Sequence, residues 1–472
     1  MENNRREFLK LAGMAGAGLI IGSGRAQSLG PSFKTHPQVF NMHAYAAPKL
    51  DKVRVGFIGA GSRGSGTIKR MARVEGVEIK AICDLVPARV AESIESIKEY
   101  GHSPESFTKN EEDWKRLCDR DDLDLIVIST PWSLHTPQAV YAMEQGKHAA
   151  VEVPAATTVE ECWQLVKTSE RTQKHCMMLA NSAYGDFQLM TLNMARQGFF
   201  GEIIHGEGAY IHDRVNDSET RWVRDEENNN WFAYRPWRLE ENSKRNGNLY
   251  PTHGLGTICQ IMNLNYGDRM DYLVSTSSND FSMGVKMKEL AAKDDYYKPY
   301  VGKNFRGNMN VTTIRTERGR TIMVQHDISS PRPNIRFNLI SGTKAIAQQY
   351  PSPAIAYNHD GWLSDAEYKD LQKTYQPEIS KRVGQMAKNI GGHGGVDTLL
   401  VWRLVDCLRN GIPLDMDVYD AALWSCISPL SEWSVANRSN SIDVPDFTSG
   451  AYKTNQPGMD ISLNHGGTIK FM

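Results

Sequence analysis

The sequence predicts an α/β protein: a doubly wound, largely parallel sheet, then a second α+β domain on an open, mainly antiparallel sheet. Three observations predict it. Between Val53 and Asn181, short apolar runs alternate with helical patterns. The first run, V-R-V-G-F-I, feeds straight into a turn with glycines at Gly59, Gly61 and Gly64. Beyond Asn181 the pattern shifts to strand-like stretches joined by short turns such as Glu317-Arg318-Gly319 and Ser341-Gly342.

The chain has 472 residues, enough for two domains with ample core. Residues 1–26 read as a targeting segment. Asn4-Arg5-Arg6-Glu7-Phe8-Leu9-Lys10 precedes the apolar, Gly-rich stretch Leu11 to Gly24, which resembles a twin-arginine export signal cut after Ala26. This resemblance implies export, with the periplasm as the expected location. That route carries folded proteins, which suits a chain that must load its ligand first. No cysteine stands directly after the apolar stretch, and nothing later is long and apolar enough to span a bilayer, so no membrane anchor is expected. Residues 27–52 form an irregular arm, residues 53–181 the first domain, and residues 182–472 the second.

Within the first domain, Thr67 to Val74 and Pro87 to Tyr100 read as crossover helices. Leu123 to Ser129 is a buried strand, and Thr136 to Gln145 a helix ending at Gly146. His148 to Val153 is the next strand, Thr158 to Thr172 an amphipathic helix, and Cys176 to Ala180 a further strand. In the second domain, helix Phe187 to Gln197 precedes a strand over Ile203 to Ile211. A polar, aromatic loop follows from Asp213 to Asn248. Strands are expected over Asn308–Thr316, Arg320–His326 and Ile335–Ile340, and helices over Val396–Leu408 and Val418–Ala436, packing back on the rest.

Composition excludes several functions. Lys plus Arg (54) balances Asp plus Glu (55), so no basic field for nucleic acid exists. Cys83, Cys118, Cys162, Cys176, Cys259, Cys407 and Cys426 are scattered without C-x-x-C, which argues against a disulfide framework or a metal site.

The glycine turn defines a Rossmann-type dinucleotide site. Gly59 permits the tight turn, Gly61 lets backbone approach a pyrophosphate, and Gly64 allows close helix–strand packing. Ser62 and Arg63 lie inside the loop, and the following helix points its positive end at the phosphates. Asp84, after the apolar run Val77 to Cys83, can bind a ribose diol and favours NAD over its 2′-phosphorylated form; Arg63 is the one residue that points the other way. Ligands in such sheets bind beyond the carboxyl ends of the strands. Three tails therefore converge there: Thr130-Pro131-Trp132-Ser133-Leu134-His135, Glu152-Val153-Pro154, and Asn181-Ser182-Ala183-Tyr184. Trp132, His135, Glu152, Val153 and Asn181 are thus candidates for the cofactor's nicotinamide end.

These tails resemble the Gfo/Idh/MocA oxidoreductases, which pair a Rossmann domain with an open-sheet substrate domain. That family usually has E-K-P, where this chain has Val153 for the lysine. Many members carry Asp four residues before a catalytic His, where this chain has Leu249 before His253. The T-P-W-x-x-H tail, E-V-P, the Tyr250-Pro251-Thr252-His253 run and G-G-H-G-G at Gly391 to Gly395 are similar to glycoside hydrolase family 109 over essentially the whole chain. That resemblance implies an α-N-acetylgalactosaminidase acting on glycans with terminal α-linked N-acetylgalactosamine, with NAD used and regenerated in each turnover and net retention. It also implies a homodimer paired through the open sheet.

Ordinary glycosidases flank the bond with two carboxylates about 5–9 Å apart, and no sequence pattern here singles out such a pair. The implied alternative oxidises sugar C3, which acidifies the C2 proton. Elimination, water addition and reduction follow. It needs a base for the C3 hydroxyl and a base at C2. His253 is assigned to the C3 hydroxyl, having a suitable ordinary pKa. Tyr184 or Tyr250 takes the C2 proton or polarises the ketone; among Tyr184, Tyr250 and His253 the C2 base stays open. A tyrosine base needs a pKa well below its usual ~10. The resemblance assigns Arg238 to substrate, together with Tyr184 and Tyr250. His393, between paired glycines, is either a ligand or a turn residue. The runner-up function is an exported NAD-dependent sugar oxidoreductase, and a third is an inactive sugar-binding protein stabilised by NAD.

Overall fold

The computed structural model describes residues 36–215 and 237–472. The expected export signal, the start of the arm and most of the aromatic loop lie outside the described residues.

The first sheet has six parallel strands: β1 (Val53–Ile58), β2 (Val77–Cys83), β3 (Glu105–Phe107), β4 (Leu125–Ile128), β5 (His148–Val151) and β6 (Cys176–Met178). Their order is β3-β2-β1-β4-β5-β6, so the winding reverses between β1 and β4. That reversal opens the crevice in which such sheets bind ligands. Every residue of β4 and β5 is buried. This explains their unbroken apolar runs, because central parallel strands are covered on both faces.

Two helices start earlier than the sequence pattern predicts. The first crossover helix is Ser62–Met71, beginning inside the glycine turn with Gly61 as its N-cap. The helix after β4 is Trp132–Glu144, with Pro131 as N-cap and Pro137 in its interior. Trp132 and His135 therefore lie in a helical first turn rather than a loop. Strand β3 and the helix Asp113–Cys118 are additions to the expected pattern.

The second sheet has eight strands: β7 (Ile203–Ile211), β8 (Met270–Ser277), β9 (Met309–Thr316), β10 (Thr321–Asp327), β11 (Asn338–Gly342), β12 (Ile346–Gln348), β13 (Ala354–Ala356) and β14 (Ile442–Asp443). All neighbours pair antiparallel except β7 with β10. Strands β9 and β10 alternate buried with more exposed residues, as expected of a sheet with one covered face. Ile335 sits before β11 and makes only an isolated bridge to Ile211.

Two close approaches seat the helix Thr252–Ile261 on β7. A Cβ on Gly208 would lie 2.2 Å from the Gly254 carbonyl oxygen, and one on Gly254 would lie 2.9 Å from Ala209 N. Only glycines allow backbones this near. The N-terminal turn of that helix, with Tyr250 just before it, is thereby fixed against the end of β7. The helices Val396–Asn410 and Val418–Ala436 close the structure. The first packs on Ser62–Met71 and brings its N-terminus to the glycine turn.

Candidate active site

The glycine turn at the end of β1 is built as the sequence predicts. Gly59 has φ +96°, and a Cβ on Gly64 would lie 1.9 Å from the Gly59 carbonyl oxygen. No side chain caps the helix at Gly61, so its first amides face outward for an anion. Asp84 accepts from Ala60 N (2.7 Å) and Val86 N (2.9 Å), which places its carboxylate beside the turn. These features fit a dinucleotide.

Arg63 reaches from the turn to the end of β5. Its Nε donates to Glu152 Oε1 at 2.5 Å, and its Nη1 donates to Asp397 Oδ2 at 2.8 Å. Burial lowers the Arg63 pKa, but the charges of Glu152 and Asp397 outweigh it and push the guanidinium above its ordinary value. Asn181, after β6, donates to Asp397 Oδ1 at 2.6 Å. Asn181 Oδ1 and Ser129 Oγ are buried and have no partner among the described residues. Buried polar atoms of that kind are what a bound ligand satisfies, which again fits the dinucleotide. Val153 is buried and brings no cation to the site.

His135 has a different use from the expected one. Its Nδ1 lies 2.7 Å from the Pro154 carbonyl oxygen and its Nε2 lies 2.8 Å from that of Thr130. With both ring nitrogens on backbone, it ties the tail of β4 to the tail of β5 and positions both. Trp132 packs into the aromatic side of the site. Its ring lies 5.9 Å from Tyr250 and 5.0 Å from Trp237, and the Arg238 guanidinium lies 5.0 Å from it.

The aromatic side of the site is a cluster. The rings of Tyr250 and His253 lie 4.9 Å apart, and Tyr210, at the end of β7, lies 4.8 Å from Tyr250 and 5.4 Å from His253. Arg238 stands 5.5 Å from the Tyr250 ring. A pocket is lined by Trp132, Tyr210, Arg238, Tyr250 and His326, among others. His326 of β10 pairs in register with Tyr210, and its Nδ1 accepts from Leu249 N at 3.2 Å, which pins the segment leading to Tyr250. His253 Nδ1 and Arg238 Nε are buried without partners among the described residues.

The electrostatics of this cluster favour neutral groups. Burial pushes the His253 imidazole well below its ordinary value, and the charges of Arg336, Arg63 and His393 push the same way. At neutral pH it is an uncharged proton acceptor. Burial also raises the Tyr250 hydroxyl, against the lowering by Arg238, with Tyr210 adding to the rise. The lowered tyrosine expected from the sequence is not what the protein alone provides.

Tyr184 is the main correction. It is 1% exposed, and its hydroxyl donates to Asp415 Oδ2 at 3.0 Å. Asp415 is itself bound by Arg403. The short 3-10 turn Asn181–Tyr184 keeps Asn181 at the cofactor end and ties the Tyr184 hydroxyl into this buried ion cluster, where burial and the Asp415 charge push it well above its ordinary value, the opposite of what a tyrosine base needs. Tyr210, His326 and Asp397 are the site residues that the sequence pattern did not single out. Tyr210 carried one usable signal, as the last aromatic of a strand that ends at the site.

The fold and this crevice define an NAD-binding protein of the oxidoreductase type. Residues 53–180 match the oxidoreductase family with the NAD-binding Rossmann fold, and residues 184–454 match the glycosyl hydrolase 109 C-terminal domain. The chain belongs to glycoside hydrolase family 109, within the Gfo/Idh/MocA superfamily, and is a glycoside hydrolase that uses NAD. It is 46% identical over 464 residues to an α-N-acetylgalactosaminidase of Shewanella oneidensis, covering 96% of this chain and 98% of that one. It is 47% identical over 467 residues to a family 109 protein of Shewanella pealeana, covering 97% and 99%. Among solved structures, an NAD binding oxidoreductase from Klebsiella pneumoniae superposes with a TM-score of 0.64 at 17% identity, over 84% of this chain and 100% of that one. Levoglucosan dehydrogenase with NADH and levoglucosan gives 0.60 at 17%, over 84% and 100%. At these identities the likeness is one of fold.

Proposed function

We propose that the protein cleaves terminal α-linked N-acetylgalactosamine by oxidation at C3, elimination across C1–C2, addition of water and reduction, with net retention. The observation that carries this reading is His253: an imidazole with a buried, unpartnered Nδ1, packed on Tyr250 and Tyr210 beside the dinucleotide crevice. The name of the Shewanella oneidensis relative supports the choice of sugar.

Bound NAD supplies the hydride acceptor for C3 and returns the hydride at the end of the cycle. His253 accepts the proton of the C3 hydroxyl, and the electron pair this leaves on oxygen forms the C3 carbonyl as the hydride departs from carbon. The C3 ketone then makes the C2 proton removable. Tyr250 lies in contact with His253 and Arg238, placed to hydrogen-bond the ketone or to pass the C2 proton. Arg238, held over Trp132 and Trp237, presents donors to sugar hydroxyls or the acetamido carbonyl. A two-carboxylate mechanism fits less well. Glu152 and Asp397 are both bound to Arg63. Burial raises the Asp397 carboxyl, but the His393 hydrogen bond and the Arg63 charge hold it well below the usual range, so it is no proton donor to a leaving oxygen.

The test uses purified protein and p-nitrophenyl α-N-acetylgalactosaminide in deuterated water with no added NAD. Nitrophenol release with deuterium at sugar C2 is expected. Release without C2 exchange would sink the elimination. Net NADH from free sugars, without release, would instead make the protein a sugar oxidoreductase. Arg5 and Arg6 support an exported, periplasmic enzyme. A variant with Arg5→Lys and Arg6→Lys is expected to stay in the cytoplasm; normal recovery from the periplasm would remove that reading.

A further inference from the structure

We propose that Asp397 is the positioning residue of the dinucleotide site and that, with His393, it forms a clasp keeping NAD on the protein between turnovers. The inference deepens the reading of NAD as a resident cofactor and rests on it.

One carboxylate ties three parts of the chain together. Asp397 stands in the first turn of the helix Val396–Asn410, directly after the G-G-H-G-G run, and is 2% exposed. Its Oδ1 accepts from Asn181, on the tail of β6. Its Oδ2 accepts from Arg63 of the glycine turn, and from His393 Nδ1 at 2.7 Å. Arg70 Nη2, on the helix after the turn, lies 3.7 Å away. Arg63 and Asn181 both face the crevice. Arg63 spends Nε and Nη1 on Glu152 and Asp397, so the guanidinium plane is fixed with Nη2 left for an anion. Asn181 is fixed through its amide nitrogen, which presents its unpartnered oxygen.

The loop before Asp397 has an unusual backbone. From Gly391 to Gly395 every residue has positive φ: 93°, 87°, 48°, 72° and 98°. Four glycines adopt this freely, but His393 does not, and a left-handed histidine costs about 1–2 kcal/mol. Its hydrogen bond to the buried, charged Asp397 offsets that cost. A carboxylate only accepts, so His393 Nδ1 carries the hydrogen, and Nε2 is turned outward from a ring that is half exposed. The histidine thus stands on a glycine-rich turn, latched by the same carboxylate that orients Arg63 and Asn181.

Charge alone makes the opposite prediction. Asp397 and Glu152 balance Arg63 and Arg70, so Asp397→Asn removes one negative charge beside the glycine turn, and simple attraction for the anionic dinucleotide would tighten NAD. Positioning predicts weaker binding. The experiment strips NAD from the purified enzyme and measures rebinding and release by nucleotide fluorescence, with no sugar present. Asp397→Asn is expected to weaken NAD binding about 10- to 100-fold. His393→Ala is expected to speed release several-fold. Unchanged or tighter binding in Asp397→Asn overturns the proposal. So does a loss of thermal midpoint in the stripped protein without any change in NAD affinity, which would mark Asp397 as merely structural. If Asp397→Asn does not fold, the release rate of His393→Ala decides alone, and a wild-type rate there overturns the clasp. Wild-type enzyme that sheds NAD on gel filtration as fast as the variants also overturns it. None of these readings uses substrate, so they stand apart from the deuterium experiment.

Discussion

Replacing His253 by alanine is expected to lower kcat on the nitrophenyl glycoside about 10³-fold, the usual range for removing a positioned general base, while NAD stays bound. Its ring contacts are with Tyr250 and Tyr210, whereas the residues at the dinucleotide crevice, Arg63, Glu152 and Asn181, are tied to each other and to Asp397. Loss of His253 therefore removes a proton acceptor without loosening the glycine turn. Nucleotide released by acid from the purified variant checks the second half. Near-normal turnover would take His253 out of the proton path, and parallel loss of NAD would make its role structural. The direction of its pKa adds a pH test. Burial keeps the imidazole neutral to well below its ordinary value of about 6.5. Protonation of His253 then costs activity only well below that pH, so no fall assignable to it is expected between pH 7.5 and 6.5.

Local chemistry was legible in the sequence, and side-chain direction was not. The strand Val53–Ile58, the glycine turn and Asp84 are encoded within about thirty residues, so their layout could be read without knowing the fold. Tyr250 and His253 share one short run and lie together. Tyr184 shows the limit. Its place after β6 was readable, but the 3-10 turn that points it at Asp415 depends on a partner 231 residues away. Asp397 was invisible for the same reason: an acidic residue in a helix first turn is ordinary, and only the packing of that helix on Ser62–Met71 brings it to Arg63 and Asn181. Strands β12 and β13 have three residues each, too short for a period to register. The helix Trp132–Glu144 starts four residues before the Thr136 that the sequence pattern predicts, with Pro131 as its cap.

The second large effect is expected from Arg403→Met, and it also separates structure from catalysis around Tyr184. Arg403 is 1% exposed and binds two carboxylates. Its Nη1 donates to Asp406 at 2.7 Å, and its Nε and Nη2 donate to Asp415 at 3.1 Å. Methionine nearly fills the same volume, so packing changes little, but two buried carboxylates lose their counter-charge. Breaking such a buried pair costs about 3–5 kcal/mol, which is a large share of a domain's stability. Asp406 keeps the amides of Gly467 and Thr468, and Asp415 keeps Tyr184 and the Asp460 amide. These bonds soften the loss without cancelling it. The sign with pH is fixed. Uncompensated carboxyls have pKa values raised above their unfolded ones, so the variant takes up protons on folding, and its deficit should shrink as pH falls. Denaturant midpoints of both proteins across pH 5 to 8 test this. A deficit independent of pH would mean that packing, not charge, was lost. Tyr184→Phe is the companion. It removes one hydroxyl from Asp415 and leaves the contact of Tyr250 with His253 in place, so it should lower stability modestly while kcat and bound NAD stay near wild type. A large fall in kcat in a folded Tyr184→Phe enzyme would return that tyrosine to the mechanism.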